Sequence, residues 1–304
     1  MLKLEYVSAR GDILPLTENK LFTITNFDGQ TVATTTISSA EITGSDGDTV
    51  NNVRTDARTI IIDLTIANGV DVEEAKRAIL RVVKIKQRGG LIWTQNEKNV
   101  SIYGIVENIE MPRWTNQAVM QITLHCEKPY WEDVEEVVQQ ISDAINLHYF
   151  TNSPADMLYF PADGIPFGEI DTIRTKSFYN DGDVSVGLEI TILAHDTVTN
   201  PIIYDQDGNY FGIGYEIETE SDGAGLGSAW VSMPFIMQAG DTVVISTHKG
   251  QKFVKYNGVI MYDKIKPNST WLQLAAGDNT FSIDSDDESI ANMSFTLTYR
   301  QRYI

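Results

Sequence analysis

The chain reads as mainly β, a β-rich α+β protein, on three observations. Apolar and polar residues alternate along several segments of the first half, and one run there follows a helical period. The second half is cut into short apolar runs by glycine-containing turns. A sheet carrying one long helix, followed by a sandwich or jelly-roll, accounts for all three.

The first half opens with LFTITNF, then Asp28-Gly29, then TVATTTISS, which suits a hairpin because Asp-Gly accepts the positive φ of a tight turn. EITGSDGDTVNNVRTDAR follows as a polar loop. TIIIDLTIA is then a strand with Ile60, Ile62, Leu64 and Ile66 on its core face. In DVEEAKRAILRVVKIK the period changes: Val72, Ala75, Ile79, Val82 and Val83 line one helical face. Asp71 caps that helix with Glu74 as box partner, Lys84, Lys86 and Arg88 favour its C-terminus, and Gly89-Gly90 stops it. Strands resume at GLIWTQ, VSIYGIVENI and QAVMQITLHC.

The segment WEDVEEVVQQISDAIN fits a helix through Val134, Val137, Val138, Ile141 and Ile145, although its valines also suit an extended chain. From about residue 178 the pattern is all-β. Its turns fall at Asp181-Gly182, Asp207-Gly208, Asp222-Gly223, Gly240-Asp241, Lys249-Gly250, Asn257-Gly258 and Gly277-Asp278.

Charge divides the 304 residues unevenly. Residues 1–130 carry 14 basic and 16 acidic side chains, and residues 131–304 carry 9 and 26, giving −19 overall. That asymmetry predicts two domains, 1–131 and 132–304, with a possible helical junction over 132–150. An acidic second half repels phosphates and anionic lipid, so neither direct nucleic-acid binding nor membrane insertion is expected. No apolar run approaches a bilayer span and the N-terminus lacks a signal-peptide pattern, so synthesis in the cytosol is expected. The single cysteine, Cys126, excludes a disulfide framework and reads as a buried strand residue.

Candidate chemistry is sparse. Asp205, Asp207 and Asn209 alternate as in a calcium loop with Glu216 at the twelfth position. Tyr210 stands where the sharp turn needs glycine, so a hairpin explains the same residues. GAGLG (223–227) lacks phosphate-loop spacing. The four histidines, His125, His148, His195 and His248, are scattered. Glu135-Glu136 and Asp286-Asp287 read as solvated acidic pairs. No catalytic residues, cofactor or metal are expected, and the chain is read as not an enzyme. Trp230 and Trp271 could stack on sugar rings, against a core or interface role. Lys76, Arg77, Arg81, Lys84, Lys86 and Arg88 form a basic helix face that is either solvated or paired with acidic neighbours.

The order of segments resembles the siphophage distal tail proteins. Arg54 and Arg58 lead into TIIIDLTIANG and the helix, and the first half closes on C-x-x-PYW at Cys126, Pro129, Tyr130 and Trp131. The second half adds Asn180, Gly182 and Asp183, Asn200-Pro201, Gly240-Asp241, Gly250, Asn257-Gly258, Trp271, Gly277 and Asn279. The likeness spans residues 10–299 and departs at the acidic segment 132–150. It implies an N-terminal belt domain closing into a homo-hexameric ring, and an outward galectin-like sandwich. It implies as partners a tail tube protein, a tail tip or hub protein, and receptor-binding proteins or fibres. The location it implies is the virion tail or a tail-like particle. A carbohydrate-binding or adhesion module carried by Trp230 or Trp271 is the alternative.

Overall fold

The computed structural model describes residues 3–44, 46–96, 98–111, 118–141, 144–145, 169–170, 175–219, 229–286 and 289–304. The chain divides into two compact units: Met1–Glu135 with Arg302–Ile304, and Glu136–Gln301. The chain is mainly β with one α-helix among the described residues, and each unit has its own hydrophobic core.

Unit 1 contains β1 (Lys3–Ser8), β2 (Ile13–Pro15), β3 (Phe22–Phe27), β4 (Thr35–Glu41), β5 (Asp48–Thr55), β6 (Arg58–Ile66), α1 (Val72–Val82), β7 (Arg88–Gln95), β8 (Lys98–Glu110), β9 (Val119–Cys126) and β10 (Trp131–Asp133). Its main sheet runs β2-β1-β7-β8-β9-β6-β3, every neighbouring pair antiparallel. β10 adds to β8, and the returning strand Arg302–Tyr303 adds to β10. The alternation of β6 is realised: Ile60, Ile62, Leu64 and Ile66 are buried beside Met120, Ile122 and Leu124 of β9. Ile79 and Val83 join the same core, and Ala75 is buried as well.

Three expectations for this unit are corrected. Asp28-Gly29 does not turn a hairpin: it lies in a 3₁₀ turn, and β3 pairs with β6 instead. The expected polar loop contains β5, which pairs only with β4. The helix ends at Val82, where the Val83 N–H bonds Ile79 O and Lys86 takes a left-handed φ of 63°. Gly89 and Gly90 are not helix stops but strand residues of β7. A Cβ on Gly89 would lie 2.0 Å from the Tyr6 hydroxyl, and one on Gly90 2.5 Å from the Tyr103 ring, so only glycine lets β1 and β8 close on β7. The Asp71 cap does form, its side chain accepting from Glu73 N at 3.1 Å.

Unit 2 begins with β11 (Val137–Gln140), which corrects the helix expected after Trp131. β11 pairs antiparallel with Met293–Tyr299 at the edge of a six-stranded sheet, and Ile141 N continues the ladder to Phe295 O at 2.8 Å. A waiting sheet edge, rather than the 3.6-residue period, decides the conformation of this valine-rich stretch. Residues 142–143 and 146–150 of the expected helix lie outside the described residues. The sheet continues through Glu189–Ala194, Thr242–Ser246, Phe253–Tyr256 and Val259–Ile260. A four-stranded sheet contains Thr175–Asn180, Gly277–Asp284, Ile202–Tyr204 and Tyr210–Gly212. Ile190, Ile192, Phe295, Leu297, Phe178 and Phe281 from the two sheets share one core, as a sandwich requires.

Candidate assembly interface

The least protected part of unit 1 is the arm formed by β4 and β5. Both strands are exposed along their length, with Thr55 alone half-buried, and they join no other sheet. Gly44 and Gly47 take positive φ in the connection between them. Ile37 faces Val53 across the ladder, and a register shift after Ser38 sets Val50 opposite Ser39. The bulge therefore turns Val50 onto the face already holding Ile37 and Val53. Ile37 is 61% exposed, Val53 57% and Val50 56%. A two-stranded ribbon with an uncovered apolar face is marginal in water and presents free backbone edges.

The arm's root is well tied. Asp56 accepts from Arg54 Nε at 3.1 Å and from the Thr36 hydroxyl, and Asp56 N donates to Thr34 O at 2.9 Å. Tyr130 reaches back to it, its hydroxyl donating to Thr55 Oγ1 at 3.1 Å. Two residues beyond Asp56, Arg58 is 5% exposed, and none of its guanidinium nitrogens has a hydrogen-bond partner. Burial lowers its pKa, opposed by the fields of Cys126 and Asp28. Opposite Arg58 in the ladder, burial pushes the Cys126 thiol up to about 12, so it is no nucleophile at neutral pH.

The residues singled out in the sequence do not converge on one site. Most organise turns. Trp131 donates its indole N–H to Gly29 O at 3.1 Å, fixing the 3₁₀ turn, and Pro129 is half-buried in the bend before it. Asn180 is buried, donates to Val184 O and Ala275 O at 3.1 Å, and accepts from Gly182 N at 3.0 Å. Asn257 and Gly258 take φ of 47° and 82° in a two-residue hairpin turn. Asp241 accepts there from Gln238 N, Tyr256 Oη and Asn257 Nδ2, and these bonds hold its carboxyl below the ordinary range, the backbone bond most strongly. Gly277 has φ of 86° beside Asn279, which bonds Ala275 on both N and O at 2.8 Å.

Trp271 packs on the unit 2 core, its ring 5.0 Å from that of Phe211, with Lys252 Nζ 5.4 Å from its centroid. The side chains of Trp230 and Glu216 lie outside the described residues, as do His148, Asp287 and GAGLG. Asp205 binds its own turn, accepting from Asp207 N at 3.0 Å and Asn209 N at 2.8 Å, with Gly208 at a φ of 78°. That is the hairpin arrangement. Among the described residues no three His, Cys, Asp or Glu side chains group to hold a metal. Of the basic helix face, Lys76 pairs Glu73 at 3.3 Å and Arg88 pairs Glu127 at 2.8 Å. Arg77 and Arg81 are exposed. The arm's Ile37, Val50 and Val53 were not singled out in the sequence. β-Branched residues spaced through Thr, Ser and Asn on both sides of Gly44 and Gly47 are the signal that marks them.

With this architecture in place, residues 226–303 match the family model of the "Siphovirus-type tail component, C-terminal domain". Over the whole chain the fold is similar to the SPP1 Dit protein, described as "a Paradigm of Hub Adsorption Apparatus in Gram-positive Infecting Phages". The TM-score is 0.62 at 12% identity, covering 100% of both chains. A chain of the phage P2 baseplate in its activated conformation with Ca aligns over 98% of both chains, at 10% identity and a TM-score of 0.41 too low to add to the assignment. No curated protein sequence matches. The resemblance to siphophage distal tail proteins is thereby borne out.

Proposed function

We propose that this chain is a non-catalytic, ring-forming component of a phage-type tail tip. In this reading unit 1 is the belt, copies associate head to tail through the β4–β5 arm, and six copies close the ring. The acidic second unit is the docking platform, attracting basic faces of receptor-binding proteins or fibres. A tail tube protein and a tip or hub protein are the axial partners, and the virion tail or a tail-like particle is the location.

The observation that carries this reading is the arm: an ordered ribbon with Ile37, Val50 and Val53 open on one face. Burying each of these side chains against a neighbouring copy gives about 1.5–3 kcal/mol. Multi-angle light scattering and electron microscopy of the purified chain test it. The expected result is a closed ring of about six copies, with an Ile37→Asp/Val53→Asp variant that stays monomeric at unchanged melting temperature. A variant that assembles as well as the parent overturns the role given to the arm.

A further inference from the structure

Unit 1 also holds a cavity of about 670 Å³. Its floor is aromatic. Trp131 is 3% exposed with its N–H committed to Gly29 O. The Trp93 ring meets it edge-on at 5.8 Å, and Phe27 packs against Trp93 at 6.1 Å. The Trp93 indole N–H is buried and has no hydrogen-bond partner. Unlike its neighbour's, this donor awaits an acceptor.

The rim has a different chemistry. Gln30, Gln95 and Asn96 are exposed and line the cavity, the last two on the tight β7–β8 turn, where Asn96 has a φ of 50°. Lys98 also lines it, its ammonium 3.7 Å above the Tyr303 ring, and the Tyr303 hydroxyl donates to Asp133 at 3.2 Å. No Asp or Glu is among the described lining residues. Among the described lining residues, three carboxamides offer donors and acceptors, while the one cation is already engaged with an aromatic face.

A phosphorylated ligand would call for more positive charge, and a hydrocarbon would leave the amides without use. A ring with an apolar C–H face and several uncharged hydroxyls uses both floor and rim. The volume falls in the range of small-molecule sites. The geometry points to a binding site for a neutral pyranose in this cavity, with Trp93 and Trp131 as its floor and Gln30, Gln95 and Asn96 as its hydrogen-bonding rim. A sugar oxygen entering between them supplies the acceptor for the Trp93 N–H. This site is separate from the tryptophans of the second unit considered in the sequence, and it does not depend on ring formation.

Saturation-transfer NMR on the full-length protein with the methyl glycosides of glucose, galactose and N-acetylglucosamine tests the site. Transfer to the ring C–H protons of at least one glycoside is expected. A Gln95→Ala/Asn96→Ala variant should weaken that sugar about tenfold, as loss of ~1.4 kcal/mol does, at unchanged melting temperature. Trp93→Phe keeps an aromatic floor but removes the donor, and should weaken it several-fold. No transfer from any of the three glycosides overturns the proposal. So does transfer that survives both variants, or transfer lost only in Trp271→Ala. If the rim variant instead disrupts the ring without any sugar signal, the cavity is a contact between copies and the sugar site falls.

Discussion

β5 and β6 are consecutive strands separated by two residues, yet their surroundings are opposite. β6 is flanked by β3 and β9 and buries every second side chain, whereas β5 has β4 alone and is exposed nearly throughout. Both are rich in β-branched residues. The difference teaches that extended conformation is locally encoded in each, while its stabilisation is not. β6 draws on a core within its own unit, and the arm has no such core to draw on.

The widest separation between these regions is expected from matched truncations. Ile62→Ala in β6 removes a side chain only 1% exposed and should cost about 2–5 kcal/mol in urea unfolding of the monomer. Ile37→Ala in the arm should change that stability by less than about 0.5 kcal/mol. Equal losses at the two positions would show that the arm packs on its own unit, which would break the contrast. A smaller effect of opposite sign belongs to Arg58, at the junction of arm and sheet. Replacing its buried, unpaired guanidinium with Met should raise unfolding stability by about 1–4 kcal/mol. A destabilised Arg58→Met protein would mean that the cation has a compensating partner in solution.

A second hairpin, Phe253–Tyr256 with Val259–Ile260, sharpens the comparison further, because its own side chains fix it. Asp241 accepts three hydrogen bonds around that turn, and its folded pKa is below the ordinary carboxylate value. The stability it adds is therefore fully present above the unfolded carboxylate pKa and declines as pH falls through the depressed folded value. Melting curves from pH 6 downward, roughly to pH 2, should show a shallower acid loss in Asp241→Asn than in the parent. Parallel curves would remove Asp241 from that role.

What was legible in the sequence follows the same division. β6 and α1 could be read because each shows one face to a core in its own unit, so Ile60 to Ile66 alternate cleanly. Of the arm, most of β4 reads as extended in TVATTTISS, but β5 does not: with neither face covered, the Thr and Asn around Val50 and Val53 look like a loop. β11 was misread because Val134, Val137, Val138 and Ile141 satisfy a helical period, and only the edge at Met293–Tyr299 selects the strand. The family motif residues were visible, but their work in turns appears only in hydrogen bonds such as those of Asn180. The Trp93 cavity draws its walls from four separate stretches of chain, so no local pattern reports it.

The pairing of Glu132 with Arg302, reinforced by their ion pair at 2.8 Å, gives the molecule an outgoing and a returning strand that already touch. Within the second unit Val137 pairs with Tyr299, and Glu136 meets Arg300 at 3.1 Å. The second unit is thus a guest inserted in sequence between the two segments of a host fold. Such a layout lets the guest be exchanged, lengthened or excised while the host keeps its ladder closed. Variation in the surface of the inserted unit can accumulate in one cassette without cost to the ladder of the other.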